Sequence, residues 1–157
     1  IFAEKPLAAT RAQAAELYEH ALKGLYATDP DLMLGLAKAQ FGLGDAQKAR
    51  TTLDALIAAN PGFRSADGHL LYARAVEDSG DLASALHEYE TVAQGYPGEE
   101  ARVRYALLLR RDGQFARARD VLQDVLDRSD AAPKYYQREQ RDWIEAARRE
   151  LAVLPQA

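Results

Sequence analysis

The sequence predicts an all-α fold, a solenoid of antiparallel helix pairs with about eight helices and no strands. Three observations carry that prediction. A glycine is followed five residues later by an alanine three times, at Gly44/Ala49, Gly80/Ala85 and Gly113/Ala118, with the glycines 36 and 33 residues apart. Self-similarity at such a period marks a stack of small helical units. Around each glycine, apolar and small residues recur at steps of three, one and three, which lines one face of a helix of 3.6-residue period. Pro61 and Pro97 then close the first two units, because proline cannot continue a helix.

The elements follow in order within a single domain over 1–157. A leading helix over 7–29 carries Ala14, Tyr18 and Ala21, with Leu22 and Leu25 running on towards Pro30. It has the spacing of a unit's second helix, and the helix that should precede it is absent. Its leucines give it two apolar sides with only one neighbour to cover them. The chain opens at Ile1 rather than methionine, which reads as a fragment or processed product. The first unit, 30–65, reads Met33, Leu36, Ala37, Gln40, Gly44, Ala49, Leu53, Leu56, Pro61. The second, 66–98, reads His69, Tyr72, Ala73, Val76, Gly80, Ala85, Tyr89, Val92, Pro97. The third, 99–132, reads Arg102, Tyr105, Ala106, Leu109, Gly113, Ala118, Leu122, Val125. The paired alanines let two helices approach closely. The glycines suit a left-handed C-cap, and Asp45 and Asp81 behind them suit the next N-cap. A final helix over 133–154 has a stripe of Tyr136, Trp143, Ala147, Leu151 and Leu154 opposite a charged face, as expected of a segment that caps a solenoid core.

These residues resemble the tetratricopeptide repeat family, most closely over Tyr72 to Pro97, and among its members the plain repeat proteins of bacterial genomes. The chain departs from the family pattern where Met33, His69 and Arg102 replace a large aromatic. It departs again where Pro133 arrives three residues late, and where two extra residues fall near Gly62 to Ser65. The resemblance implies a right-handed solenoid whose first helices line a concave groove, and a role in holding other proteins. By that register the groove should present Leu34, Lys38 and Phe41, then Leu70 and Arg74, then Val103, Arg104 and Leu107. Asp31, Asp67, Leu71, Glu77, Glu100, Arg110 and Arg111 should lie around them. Members of the family that clamp a chaperone's C-terminal carboxylate would use the places of Leu34, Lys38, Leu71, Glu100 and Arg104. Glu100 there would repel a carboxylate, so a clamp of that kind is not expected.

Composition sets further bounds. A chain of 157 residues can bury a continuous core, and a formal net charge of -4 lacks the basic excess of a dedicated nucleic-acid binder. Without cysteine there is no disulfide, thiol chemistry or cysteine-ligated zinc. No segment is apolar enough to span a bilayer and no signal peptide is visible. A cytoplasmic setting is therefore the plainer reading, with an anchor or signal upstream of Ile1 left open. His20, His69 and His87 are scattered, with no pair at the spacing that puts two ligands on one helical face. His69 reads as a structural residue. Gly42-Leu43-Gly44 lacks the lysine and hydroxyl residue of a phosphate loop, and Glu99 with Glu100 suits the positive end of a helix dipole. No catalytic residue, metal or cofactor is expected.

The expected function is therefore a non-catalytic adaptor whose groove takes a peptide or partner helix. Its cations favour an acidic one, with Arg74 and Arg104 the best candidates and Arg110 and Arg111 offset by ion pairs between neighbouring units. The alternative is a structural module that forms a homodimer through its leading helix. An enzyme or enzyme accessory domain is the remotest reading.

Overall fold

Capping residues set the helix boundaries in the computed structural model, which describes residues 7–156. Residues 1–6 and 157, counted in the single-domain reading, lie outside the described residues. The helices are α1 (Leu7–Ala21), α2 (Pro30–Gly42), α3 (Ala46–Ala59), α4 (Ala66–Asp78), α5 (Leu82–Gly95), α6 (Glu100–Arg111), α7 (Phe115–Ala131), α8 (Lys134–Glu139) and α9 (Arg141–Val153). A short 3-10 turn covers Gly24–Tyr26. Among the described residues there is no strand. Gly44, Gly80 and Gly113 adopt φ of 85°, 93° and 81°, a region that a side chain would strain. Behind the first two, the carboxylates of Asp45 and Asp81 accept from the N–H groups of Lys48 and Ser84 and so start α3 and α5. Asp29 does the same for α2, with Pro30 at its first position.

The described residues form two compact units, divided between Ala85 and Leu86. In the first, α2 packs on α3 and α3 on α4. Ala37 and Ala49 are completely buried, and Met33, Leu34, Leu53, Leu56, Leu71 and Ala75 complete that core. Arg50 on α3 donates to Ser79 and Asp81 in the turn after α4, both at 3.2 Å. The Ser84 hydroxyl and N–H hold the Asp81 carboxyl below its ordinary range against desolvation, and Arg50 adds to this. α1 docks on α2 through Ala15, which joins Leu36 and Ala39, with Tyr18 and Leu22 beside them. The Tyr18 ring occupies the space that a Cβ at Gly35 would take.

The leading helix is shorter than its sequence suggests. It stops at Ala21, Gly24 turns the chain at φ 64°, and Leu25 is 99% exposed.

In the second unit α6 packs on α7, and α9 packs on α7 and to a lesser extent on α6. Ala106, Ala118, Leu109, Leu122 and Val125 are buried, as the repeat pattern requires. The final segment differs from the single helix expected, which makes nine α-helices among the described residues. It breaks at Gln140, at φ -95° and ψ 8°. The Gln140 amide oxygen accepts from the Glu99 N–H at 2.9 Å, satisfying a donor that α6 leaves unpaired at its start. Restarting the helix there moves its buried face. Ile144, Ala147 and Leu154 are buried, while Tyr136, Trp143 and Leu151 are only half-buried.

Candidate protein-binding surface

The first helices of the repeats supply the candidate residues, and each unit presents its own set. In the first unit, Lys38 on α2 is exposed, while Phe41 on α2 and Arg74 on α4 are half-buried. The Arg74 guanidinium carbon lies 4.7 Å from the centre of the Phe41 ring. Such stacking leaves the edge of the guanidinium able to donate while the ring supports its flat face. Leu34 and Leu70 are 9% and 5% exposed, and Leu34 belongs to the core between α2, α3 and α4. They support the surface rather than form it.

In the second unit Val103 is completely buried, for the same reason: the residue next to the repeat's apolar stripe is taken up by packing between helices. Arg104 and Leu107 are half-buried. Arg104 has an acidic partner that comparison between repeats misses, because it lies one turn earlier on the same helix. Its Nε donates to Glu100 at 3.0 Å, and its guanidinium carbon lies 5.1 Å from the centre of the Trp143 ring. Arg110 pairs with Glu150 of α9 at 2.5 Å. Trp143 was legible as apolar but not as a partner for a cation.

One buried polar cluster gathers a carboxylate, two arginines and a tyrosine. The Glu99 side chain is completely buried, and Arg102 is 6% exposed. Glu99 accepts from Arg102 at 3.3 Å and from the Tyr136 hydroxyl at 2.6 Å, with Arg128 at 3.9 Å. Arg102 also donates to the carbonyls of Gly98 and Tyr96. Burial, and then the bond to Glu99, push the Tyr136 hydroxyl up to about 12. Every buried side-chain nitrogen and oxygen among the described residues has a partner, so the cluster fastens the start of α6 to α8 with its polar groups satisfied. It also explains why Arg102 stands in place of a large aromatic. Its charge is matched by the carboxylate three residues before it.

Among the described residues, no three histidine, aspartate or glutamate side chains gather as a metal site. No helix among them is long and apolar enough to cross a membrane. His20 and His87 are exposed and His69 is half-buried.

Two sequence profiles, both described as tetratricopeptide repeat, match residues 9–75 and 70–136. The chain belongs to the tetratricopeptide repeat family. No curated protein matches it in sequence. Among solved structures it is similar to MamA, at a TM-score of 0.68 and 14% identity, covering 96% of this chain and 93% of that one. It is also similar to the nearly identical TPR-like repeats of a putative kinesin light chain from Podosopora anserina. There the TM-score is 0.66 and the identity 17%, over 92% of this chain and 88% of that one. At these identities the likeness speaks for the fold alone. Tetratricopeptide repeats are in general an interaction fold, and the chain is a protein–protein interaction scaffold of that kind.

Proposed function

We propose that this scaffold binds an acidic peptide or partner helix on the first helices of its repeats, without catalysing a reaction. The observation that carries the proposal is Arg74 stacked on Phe41, on the helix next to exposed Lys38, which combines two cations with an aromatic surface. The cations would set association rate and selectivity, while the ring and the alkyl stems supply apolar contact. Arg104 and Leu107 offer a third cation and a leucine on the other unit, with Arg104 partly neutralised by Glu100. Titration calorimetry of an acidic helical peptide against the wild type and Arg74→Glu tests the reading. The expected result is roughly tenfold weaker binding in the variant and in raised salt. Equal affinity under all conditions would sink it.

A second reading rests on α1, whose Leu17 is 71% exposed with Leu25 and Tyr26 also open to solvent. Exposed apolar side chains of this kind suit self-association. Light scattering decides it, because a mass that stays monomeric at high concentration removes the homodimer.

A further inference from the structure

The connection from α1 to α2 departs from its own sequence pattern. Tyr18, Leu22 and Leu25 continue one apolar stripe at steps of four and three, the spacing of an unbroken helix. In the structure the helix stops at Ala21, Gly24 turns the chain at φ 64°, and Leu25 is left 99% exposed. The 3-10 turn that replaces the helix is thinly held. It buries no residue, and its N–H groups of Tyr26 and Ala27 reach the carbonyls of Lys23 and Gly24 at 3.5 and 3.3 Å. One turn earlier, the Leu22 N–H meets the Tyr18 carbonyl at 2.9 Å, the ordinary length. Beyond the turn the chain is fixed again, because Asn60 donates to the Thr28 carbonyl at 3.0 Å and Asp29 caps α2.

α1 itself sits on a surface shaped for it. Gly35 of α2 receives the Tyr18 ring, and Gly42, seven residues on, receives the side chain of Arg11, seven residues before Tyr18. Arg11 donates to the Gly42 carbonyl at 2.7 Å, and Ala15 packs with Leu36 and Ala39 between the two glycines. The matched spacing suits a helix that carries arginine and tyrosine seven apart and runs opposite to α2. The α1 of any copy of this chain is such a helix. When a terminal helix passes to the same surface of a second copy, its contacts are remade there, and the two forms differ chiefly at the hinge. Here the hinge gains by opening. Straightened, 22–27 take up regular helical hydrogen bonds, and Leu25 rejoins the stripe of Tyr18 and Leu22.

We propose that α1 is an exchangeable helix, which docks on α2 of a second copy when 22–27 straighten into its continuation and receives that copy's α1 in return. The product is a symmetric dimer whose two hinges bring Leu25 and Tyr26 of each copy together. This rests on the reading that the chain associates with itself through α1, and it puts exchange in place of side-by-side contact.

The first test changes the hinge in the whole chain. A Cβ at Gly24 meets nothing within 4 Å, so Gly24→Ala has room, but alanine disfavours the positive φ of the turn and favours the straightened helix. By analytical ultracentrifugation the dimer dissociation constant should fall at least roughly tenfold in Gly24→Ala. Gly24→Asn, which tolerates positive φ, should change it much less. The second test asks which α2 each α1 occupies. The chain has no cysteine, so Ala15→Cys combined with Ala39→Cys marks the α1–α2 contact alone. Oxidised after incubation at high concentration, this pair should give a covalent dimer on a denaturing gel, and more of it with Gly24→Ala. Oxidised when dilute, it should close within one chain. The ultracentrifuge comparison needs no cysteine and stands if that pair disturbs the packing. Equal dissociation constants for Gly24→Ala and the wild type overturn the exchange. A dimer whose cysteines close only within each chain also overturns it, while sustaining association through the face of Leu17. A chain that stays monomeric at millimolar concentration, with glycine or alanine at the hinge, overturns exchange and self-association together.

Discussion

α1 and the α8–α9 pair both flank the repeats in the chain, and both carry alanine and leucine at helical spacing, yet they are held by different means. α1 buries only Ala15 and leaves Leu7 and Leu17 63% and 71% exposed. Its attachment is a close approach, with Tyr18 over Gly35, and an Arg11 donation to the Gly42 carbonyl at 2.7 Å. α9 buries Ile144 and Ala147, and the junction before it is fastened to a completely buried Glu99 through Tyr136 and Gln140. Apolar spacing therefore describes what a helix could bury, while the neighbouring surface decides what it does bury. α1 meets α2 at Leu36 and Ala39 with only Ala15 of its own residues buried, and hydrophobic stabilisation scales with the area buried. Glu99 offers Tyr136 and Gln140 at the α8–α9 junction directional partners that fix one arrangement.

The largest effect that would break this comparison is expected at Glu99. Glu99→Ala leaves Arg102 buried beside two carbonyls without its carboxylate, and removing one member of a buried pair costs about 3–5 kcal/mol. Thermal melts should show a large loss. Since well-packed apolar pairs often replace buried ion pairs without penalty, Glu99→Leu combined with Arg102→Met should recover at least about half of it. If Glu99→Ala melts like the wild type, the cluster is not what fastens the second unit.

Much of the fold was legible in the sequence because it rests on positions where a single residue type is needed. Gly44, Gly80 and Gly113 all sit at positive φ, and the paired alanines Ala37 with Ala49 and Ala106 with Ala118 are almost fully buried. Asp45 and Asp81 cap as their place suggested. The break at Gln140 was not legible, because a glutamine inside an amphipathic stretch has ordinary helix propensity and its real partner, the Glu99 N–H, lies 41 residues away. Glu99 itself reads as one of two carboxylates at a helix start, and only the arrival of Tyr136 and Arg102 makes it a core residue. Of the residues the register assigns to a groove, Lys38 is exposed and Phe41 and Arg74 are half-buried. Leu34, Leu70 and Val103 share the register of a groove, but packing between neighbouring helices takes them up.

A smaller effect is expected at Gly35, and its sign carries the information. Gly35→Ala would gain about 1 kcal/mol of helix propensity but force the Tyr18 ring away, and overpacking typically costs about 1–3 kcal/mol. The net change in the wild-type background should be neutral to destabilising. In a Tyr18→Ala background the clash is gone, so the same substitution should stabilise by about 1 kcal/mol. Urea unfolding of the four chains measures the cycle. Stabilisation in both backgrounds would mean that Tyr18 does not hold α1 against Gly35.

The smallest expected effect sharpens the contrast most. Leu17 is 71% exposed in α1, so Leu17→Ser removes little buried area and should change stability by no more than about 0.5 kcal/mol, the usual range for a surface substitution. A leucine covered by a second copy behaves differently. Its replacement would then remove apolar area from an interface, and the stability of an associating chain depends on its concentration. Melts of the wild type and Leu17→Ser at two protein concentrations about a hundredfold apart therefore separate the cases. Coincident melts at both concentrations leave α1 an open helix held on α2 without a second copy. A wild-type melt that rises with concentration, in a chain whose Leu17→Ser variant does not, would make α1 as firmly fastened as α9 by a partner of its own kind.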